Sequence, residues 1–188
     1  MPDILHNISL IDVLFIILLL AMLYKGSRIG VSSQLVSLVG YIALVYISIG
    51  YYGFVSEAIF GFKLQDWARP LSFCAIAIVV FVAFKFLERI FSIIAGEELA
   101  MLERVGGALV ASFRAFMLFG VIGIALLLIP VESAKLAVTE NSKFAMIFIE
   151  MDAGIYAWIS GAIGIPEKKS QDEVLNEILS ADEKKGSE

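Results

Sequence analysis

The sequence predicts an all-α membrane protein with four transmembrane helices, and three observations lead to this fold class. First, 60% of the 188 residues are apolar, which is more than a soluble domain of this size can bury. Second, Ile8–Tyr24 and Ile29–Ser56 are long apolar runs, and about 20 helical residues cross a bilayer core of about 30 Å. Third, only residues 25–28 separate these runs, which predicts a tight antiparallel turn at one membrane face.

The first span, at about residues 8–24, is predicted to be a retained helix and not a cleaved signal. The residues before it contain no lysine or arginine, and no small-residue cleavage pattern follows before Lys25. Asp12 lies about one turn inside this helix. It is either an N-cap or interfacial carboxylate near water, or a buried partner for a cation. Its nearness to the helix end favours the first interpretation.

The second span, at about residues 29–54, begins with small residues. Gly26 and Gly30 are four positions apart, so on a helix they share one face and permit close approach of a second backbone. We expect this face to pack on a neighbouring helix of the same chain, and a dimer surface is the alternative.

The third and fourth spans are predicted at about residues 70–87 and 107–130. Between them, segment 88–104 mixes charged and apolar residues and is predicted to lie on the membrane surface as an amphipathic helix. Arg114 has two interpretations. It is an interfacial side chain if the fourth span begins at residue 115, and it lies about 13 Å inside if the span begins at residue 105. The interfacial position is preferred, and Asp12 is expected near the opposite membrane face.

The four spans make up a predicted transmembrane domain, residues 1–131, and two smaller segments follow it. Segment 132–165 contains an apolar stretch long enough for a fifth span, but Glu150 and Asp152 near its middle would each cost about 2.5 kcal/mol or more in lipid. An interfacial or re-entrant helix is therefore preferred. The polar tail, residues 166–188, is predicted to form one short amphipathic helix and to be partly disordered.

Composition and motifs argue against several classes of function. The net charge is −5 and acidic residues outnumber lysines in the tail, so no nucleic-acid surface is expected. Lone Cys74 and single His6 provide neither an internal disulfide nor a His/Cys metal cluster. Nucleophile-elbow, zinc-protease and phosphate-loop motifs are all missing from the sequence. No catalytic residue, metal or cofactor is therefore assigned, and an enzyme is not expected.

Two local patterns resemble the colicin V production (CvpA) family of bacterial inner-membrane proteins, across about Ile8–Phe148. In the first pattern an Asp opens span one, and a glycine-rich turn leads to a second helix that typically carries a Glu. The corresponding residues here are Asp12, Gly26, Gly30 and, in place of Glu, Gln34. In the second, an acid–Arg pair precedes small residues at four-residue spacing and a further Arg. The corresponding residues here are Glu103, Arg104, Gly107, Ala111 and Arg114.

The resemblance implies a multi-pass protein of the bacterial inner membrane that is associated with toxin production or export and with envelope homeostasis. A membrane scaffold or assembly factor is the preferred function, and a small transporter or channel component is the alternative. The expected partners are the lipid bilayer and other membrane or envelope proteins, and a homo-oligomer remains open.

The distribution of basic residues predicts the orientation in the membrane. Lysines and arginines are more frequent beside the links between spans one and two and between spans three and four than on the opposite side of the membrane. These two links are therefore expected in the cytoplasm and both termini outside. The residues near the links are Lys25, Arg28, Lys85, Arg89, Arg104 and Arg114, against Lys63, Arg69, Lys135 and Lys143 on the other side.

Overall fold

The computed structural model describes residues 10–28, 31–60, 67–94, 101–142, 144–163 and 171–179. Within these ranges the chain is helical and contains no strand, which confirms the predicted all-α class. The helices are α1 Leu10–Gly26, α2 Val31–Val55, α3 Ala68–Ile94, α4 Met101–Leu128, α5 Glu132–Thr139, α6 Ala145–Ile163 and α7 Gln171–Leu179. A π-helical turn, Ser56–Phe60, extends α2.

Four of the described helices contain a stretch long and apolar enough to cross a membrane. These stretches are Gln34–Ile59 in α2 and its extension, Ala68–Ile90 in α3, Val105–Leu128 in α4 and Ala145–Ile163, which is all of α6. The described part of α1 is also apolar over most of its length but has only 17 residues, or about 26 Å of helix. One long apolar helix therefore lies in the segment for which the sequence favoured an interfacial or re-entrant helix.

The described residues of segment 88–104 do not form the separate surface helix that the sequence predicts. Residues up to Ile94 continue α3, and residues from Met101 onward begin α4. The physical reason is visible at Glu88, which is only 7% exposed because its carboxylate has partners inside the bundle. With that charge satisfied, extending α3 adds backbone hydrogen bonds without exposing a carboxylate to lipid.

Helix α4 lies at the centre of the bundle. Gly26 of α1 approaches Gly107 near the start of α4, whereas the Phe15 ring contacts the Phe119 ring in a tilted arrangement, with ring centroids 4.6 Å apart. These two contacts make α1 antiparallel to α4. By contrast, α2 runs parallel to α4. Val31 near the start of α2 lies next to Gly106 near the start of α4, and farther along both helices Leu44 and Val121 line the same cavity.

Helix α6 begins beside the middle of α4 and not beside its end. Phe148 packs on Phe116, with ring centroids 5.1 Å apart, and Ile149 contacts Gly123. Farther along α6, Tyr156 stacks on Tyr46 of α2 at 5.3 Å. The chain therefore turns back along α4 through α5 before α6 begins. This geometry is that of a helix inserted into the bundle. Helix α5, with exposed Glu132 at its start and buried Val138 near its end, connects α4 to α6.

Helix α7 forms within the predicted amphipathic part of the tail. It buries Val174 and Ile178, and the side-chain amide of Gln171 donates a 3.0 Å hydrogen bond to the carbonyl of Glu150 on α6. Residues 182–188, for which the sequence predicts disorder, lie outside the described residues.

Candidate functional site

The most polar part of the bundle interior is a group of side chains from α2, α3 and α4, which we call the polar cluster. Its members are Gln34, Ser37 and Tyr41 on α2, Lys85 and Glu88 on α3, and Arg114 on α4. Three separate helices contribute to it, so only the folded bundle brings these residues together.

The structure corrects the preferred position of Arg114. Its side chain is 3% exposed and belongs to the interior of the apolar stretch Val105–Leu128, not to its end. The guanidinium donates a hydrogen bond to Oε1 of Gln34, and its Cζ lies 5.0 Å from the centroid of the Tyr41 ring. Helix α2 thus provides both a hydrogen-bond acceptor and an aromatic ring face for the guanidinium. The cation–π contact with this ring is strengthened because water is excluded from the bundle interior. Arg114 therefore turns inward.

Glu88 is the acidic member of the polar cluster. Its Oε2 accepts a 3.0 Å hydrogen bond from the Ser37 hydroxyl and a 2.5 Å bond from Lys85 Nζ. The lysine is half-buried and one turn away on α3, so the ion pair is local, whereas the Ser37 bond connects α2 to α3. Two cations and one carboxylate leave the polar cluster with one formal positive charge.

Asp12, the residue that opens the first family pattern, forms a second polar contact near the N-terminal end of α1. Its side chain is 3% exposed, and its Oδ1 accepts a 2.6 Å hydrogen bond from the Ser142 hydroxyl. The same hydroxyl accepts a 3.1 Å bond from the backbone N–H of Ala145 and so caps the start of α6. Asp12 is therefore buried and bound to a neutral partner, which matches neither of the two interpretations drawn from the sequence.

The small residues of both family patterns meet where α1 crosses α4. A Cβ added at Gly26 would lie 2.3 Å from the Cβ of Ala111 and 2.8 Å from the carbonyl oxygen of Gly107. Gly26, Gly107 and Ala111 thus belong to one close helix contact within the chain, as expected for small residues in membrane helices. Gly30 and the side chains of Glu103 and Arg104 lie outside the described residues.

Asp152 on α6 is a titratable group that sequence analysis regarded only as an obstacle to a fifth span. Its side chain is 0% exposed, and within the described chain neither carboxyl oxygen has a hydrogen-bond partner. It lies directly over Gly120 of α4, where an added Cβ would meet Oδ2 at 2.3 Å. The carboxyl faces α4 and not lipid, but it has no polar partner there, so its burial keeps the cost of an uncompensated acid. Glu150, by contrast, is exposed.

Sequence reasoning found Arg114, Gln34 and Asp12 but missed their neighbours Lys85, Glu88 and Ser142 as members of polar contacts. The i, i+3 spacing of Lys85 and Glu88 was the available signal, because it places both on one face of a helix. No comparable signal marks Ser142, which reaches Asp12 only after α5 has turned the chain back.

Comparison of the sequence with models of protein families tests the family resemblance that these positions indicate. The family model described as Colicin V production protein matches residues 11–153. The chain belongs to this family. Searches of the curated proteins and of the solved structures find no match.

The colicin V production family match extends from the start of α1 to Ala153 in α6. It therefore includes the whole polar cluster, the Asp12–Ser142 contact and Asp152. The membership and the four long apolar helices together indicate a multi-pass membrane protein.

Proposed function

We propose that this protein is a scaffold or assembly factor of the bacterial inner membrane that serves toxin production or export and envelope homeostasis. The family supports the biological setting, since the matching model is that of colicin V production proteins. The arrangement of polar groups supports the scaffold.

One observation carries the scaffold proposal: several buried polar side chains hold separate segments of the bundle together. Arg114 binds Gln34 and Ser37 binds Glu88, each across two helices, and Asp12 of α1 binds Ser142, which lies between α5 and α6. Moreover, a cavity of about 250 Å³ between α3 and α4 is lined by apolar side chains and Cys74. A pathway for a polar solute would instead expose polar or charged groups to a water-filled space.

Crosslinking in native membranes tests this proposal. A photoreactive residue at lipid-facing positions such as Ile78 of α3 or Trp158 of α6, which are 62% and 75% exposed, should capture one defined membrane or envelope protein. The same substitution at buried Phe73 is the control. Loss of toxin export on deletion, restored by the wild-type chain, establishes the biological role. A chain that restores export but captures no protein from any lipid-facing position would contradict the scaffold.

A small transporter or channel component is the second candidate, and the carboxyl of Asp152 favours it. An ionisable group inside a membrane helix is costly and commonly marks a proton or ion pathway. In the described structure this carboxyl is fully buried without a hydrogen-bond partner, so none of the described contacts explains why this position carries an acid.

The two candidates differ in what Asp152→Asn should do. Asn has nearly the same size, so the contact with Gly120 is preserved, but it cannot exchange a proton. On the scaffold proposal, complementation of the deletion strain is unchanged at equal protein level. On the transporter proposal, function is lost at equal protein level. Glu150→Gln, two positions away and exposed, is the matched control and should be neutral in both cases.

A further inference from the structure

A cleft between α3 and α4 is apolar along most of its length. On α4 it is lined by Leu118, Val121 and Ala125, and on α3 by Cys74, Ala77 and Phe81. These positions recur at three- and four-residue intervals, so each helix presents one continuous face to the cleft. Ile78, which also lines the cleft, is 62% exposed, so the cleft opens on the lipid-facing side of the bundle.

The polar cluster continues the same helix faces at one end of this cleft. Arg114 precedes Leu118 by one turn of α4, and Lys85 follows Phe81 by one turn of α3. A small pocket lined by Ser37, Lys85 and Glu88 shares Leu44 and Phe81 with the apolar cleft. The cleft therefore has an apolar body and a charged end.

Two cations stand at this end on either side of an aromatic pair. Lys85 Nζ lies 5.7 Å from the centroid of the Phe81 ring, and Arg114 Cζ lies 5.0 Å from that of Tyr41. The Tyr41 and Phe81 rings contact each other edge to face at 6.1 Å. Glu88 offsets only one of the two positive charges, and the Arg114 Nε has no hydrogen-bond partner among the described residues.

We propose that this cleft binds one acyl chain of an anionic phospholipid, with the phosphate at Lys85, which is the partly exposed cation at the charged end of the cleft. Charge complementarity selects the anionic head group, because the polar cluster, which contains Lys85, Glu88 and the buried Arg114, carries one uncompensated positive charge. The apolar faces of α3 and α4 select the chain. The inference goes beyond the scaffold role and does not depend on it.

The cleft has room for a segment of one acyl chain only. Its volume of about 250 Å³ is slightly below the range of about 300–1,000 Å³ typical of pockets for drug-sized ligands. A head group reaches Lys85 without entering the bundle, because this side chain is 30% exposed.

Retention of defined lipids by the purified full-length protein tests the proposal. Dioleoyl phosphatidylglycerol and dioleoyl phosphatidylcholine have the same chains and differ in net charge, and native mass spectrometry counts the lipids kept by the protein in detergent. We expect wild type to retain the anionic lipid about tenfold more tightly, the effect of one charge-assisted contact. Equal retention of both lipids, or of neither, overturns the proposal.

Two pairs of variants locate the lipid. Lys85→Gln should reduce retention of phosphatidylglycerol about tenfold, while Arg28→Gln, an exposed cation at the α1–α2 turn, should not. Ala77→Phe fills the apolar cleft and should abolish retention of both lipids. Val79→Phe, at a residue of α3 that is 67% exposed, should not. If either test variant behaves like its control, the lipid binds elsewhere and the proposal is wrong.

The variants remain informative if one of them fails to fold. Should Lys85→Gln not accumulate, Lys85→Arg keeps the charge and is expected to keep the preference for phosphatidylglycerol. Ala77→Phe tests the chain site independently of Lys85. An arginine variant that loses the preference while remaining folded would contradict recognition by charge.

Discussion

Arg114 of α4 donates a hydrogen bond to the side-chain oxygen of Gln34 on α2, and both side chains are buried. In the family pattern this α2 position typically carries a Glu, which would form an ion pair with the arginine. In this chain the partner is a neutral amide. The contact still joins two helices, but the positive charge of Arg114 is not neutralised there.

The first prediction concerns the loss of this contact. Arg114→Ala should lower the free energy of unfolding in detergent by about 2 kcal/mol, because it removes a charged hydrogen bond and leaves the Gln34 oxygen without its donor. Arg114→Lys should recover part of this loss, since an ammonium supplies a single donor but not the planar guanidinium. Thermal denaturation of the purified protein measures both. Lys25→Ala, at an exposed site, is the control, and an equally small effect of Arg114→Ala would argue against a structural contact.

The second prediction restores the charge that the family pattern contains. Gln34→Glu should raise the free energy of unfolding by about 1–2 kcal/mol, because a carboxylate makes a stronger hydrogen bond to the buried guanidinium than an amide does. It should also weaken retention of phosphatidylglycerol, since the polar cluster then has no net charge. Melting temperature and native mass spectrometry provide the two readouts. An exposed amide-to-acid substitution, Asn176→Asp, should change neither.

The third prediction concerns the crossing of α1 and α4. Gly26→Ala should lower folded yield and the free energy of unfolding by about 1–3 kcal/mol, because its Cβ would overlap Ala111 and the Gly107 carbonyl unless the helices move apart. Gly107→Leu should do the same from the other side, and Gly30→Leu is expected to act similarly although Gly30 lies outside the described residues. Gly53→Ala is the matched control, because an added Cβ there meets nothing within 4 Å. Equal yields of the Gly26 and Gly53 variants would contradict a packing role.

The fourth prediction concerns membrane topology. With Cys74 replaced by alanine, single cysteines at Ser27, Glu140 and Asn176 are exposed to an impermeant reagent outside intact cells. We expect labelling at positions 140 and 176 but not at position 27. The basic residues favour the α1–α2 turn inside, and α7 returns to the end of the bundle where α2 finishes, since Glu177 interacts with Tyr52.

The labelling pattern also distinguishes two positions of α6. If α6 crosses the membrane completely, position 176 lies on the same side as position 27 and the two sites respond alike. If α6 is re-entrant, as its start beside the middle of α4 indicates, position 176 responds like position 140. Labelling of position 27 alone would show that the protein has the opposite orientation in the membrane.

The sequence by itself determined the fold class and the family, because both depend on local features. Uncharged runs of about 20 residues can satisfy their backbone groups in lipid only as helices. The four-residue spacings of Gly26 and Gly30 and of Gly107 and Ala111 predict small-residue faces from the helix period alone. The family patterns are also contiguous stretches of residues. These features need no knowledge of how the helices are arranged.

Only the tertiary structure decided which charges are buried and with which partners. Arg114 was expected at the interface, and Glu88 in a surface helix, because from one helix alone a buried charge has a large cost. That cost depends on partners that other helices provide: Gln34 and Tyr41 contact Arg114, and Ser37 binds Glu88, which also pairs with Lys85 of its own helix. Asp152 is buried against Gly120 of α4 without a hydrogen-bond partner among the described residues, and helix packing alone places it there. Apart from the Lys85–Glu88 pair, the contacting residues lie far apart in the chain, so no local pattern encodes their meeting.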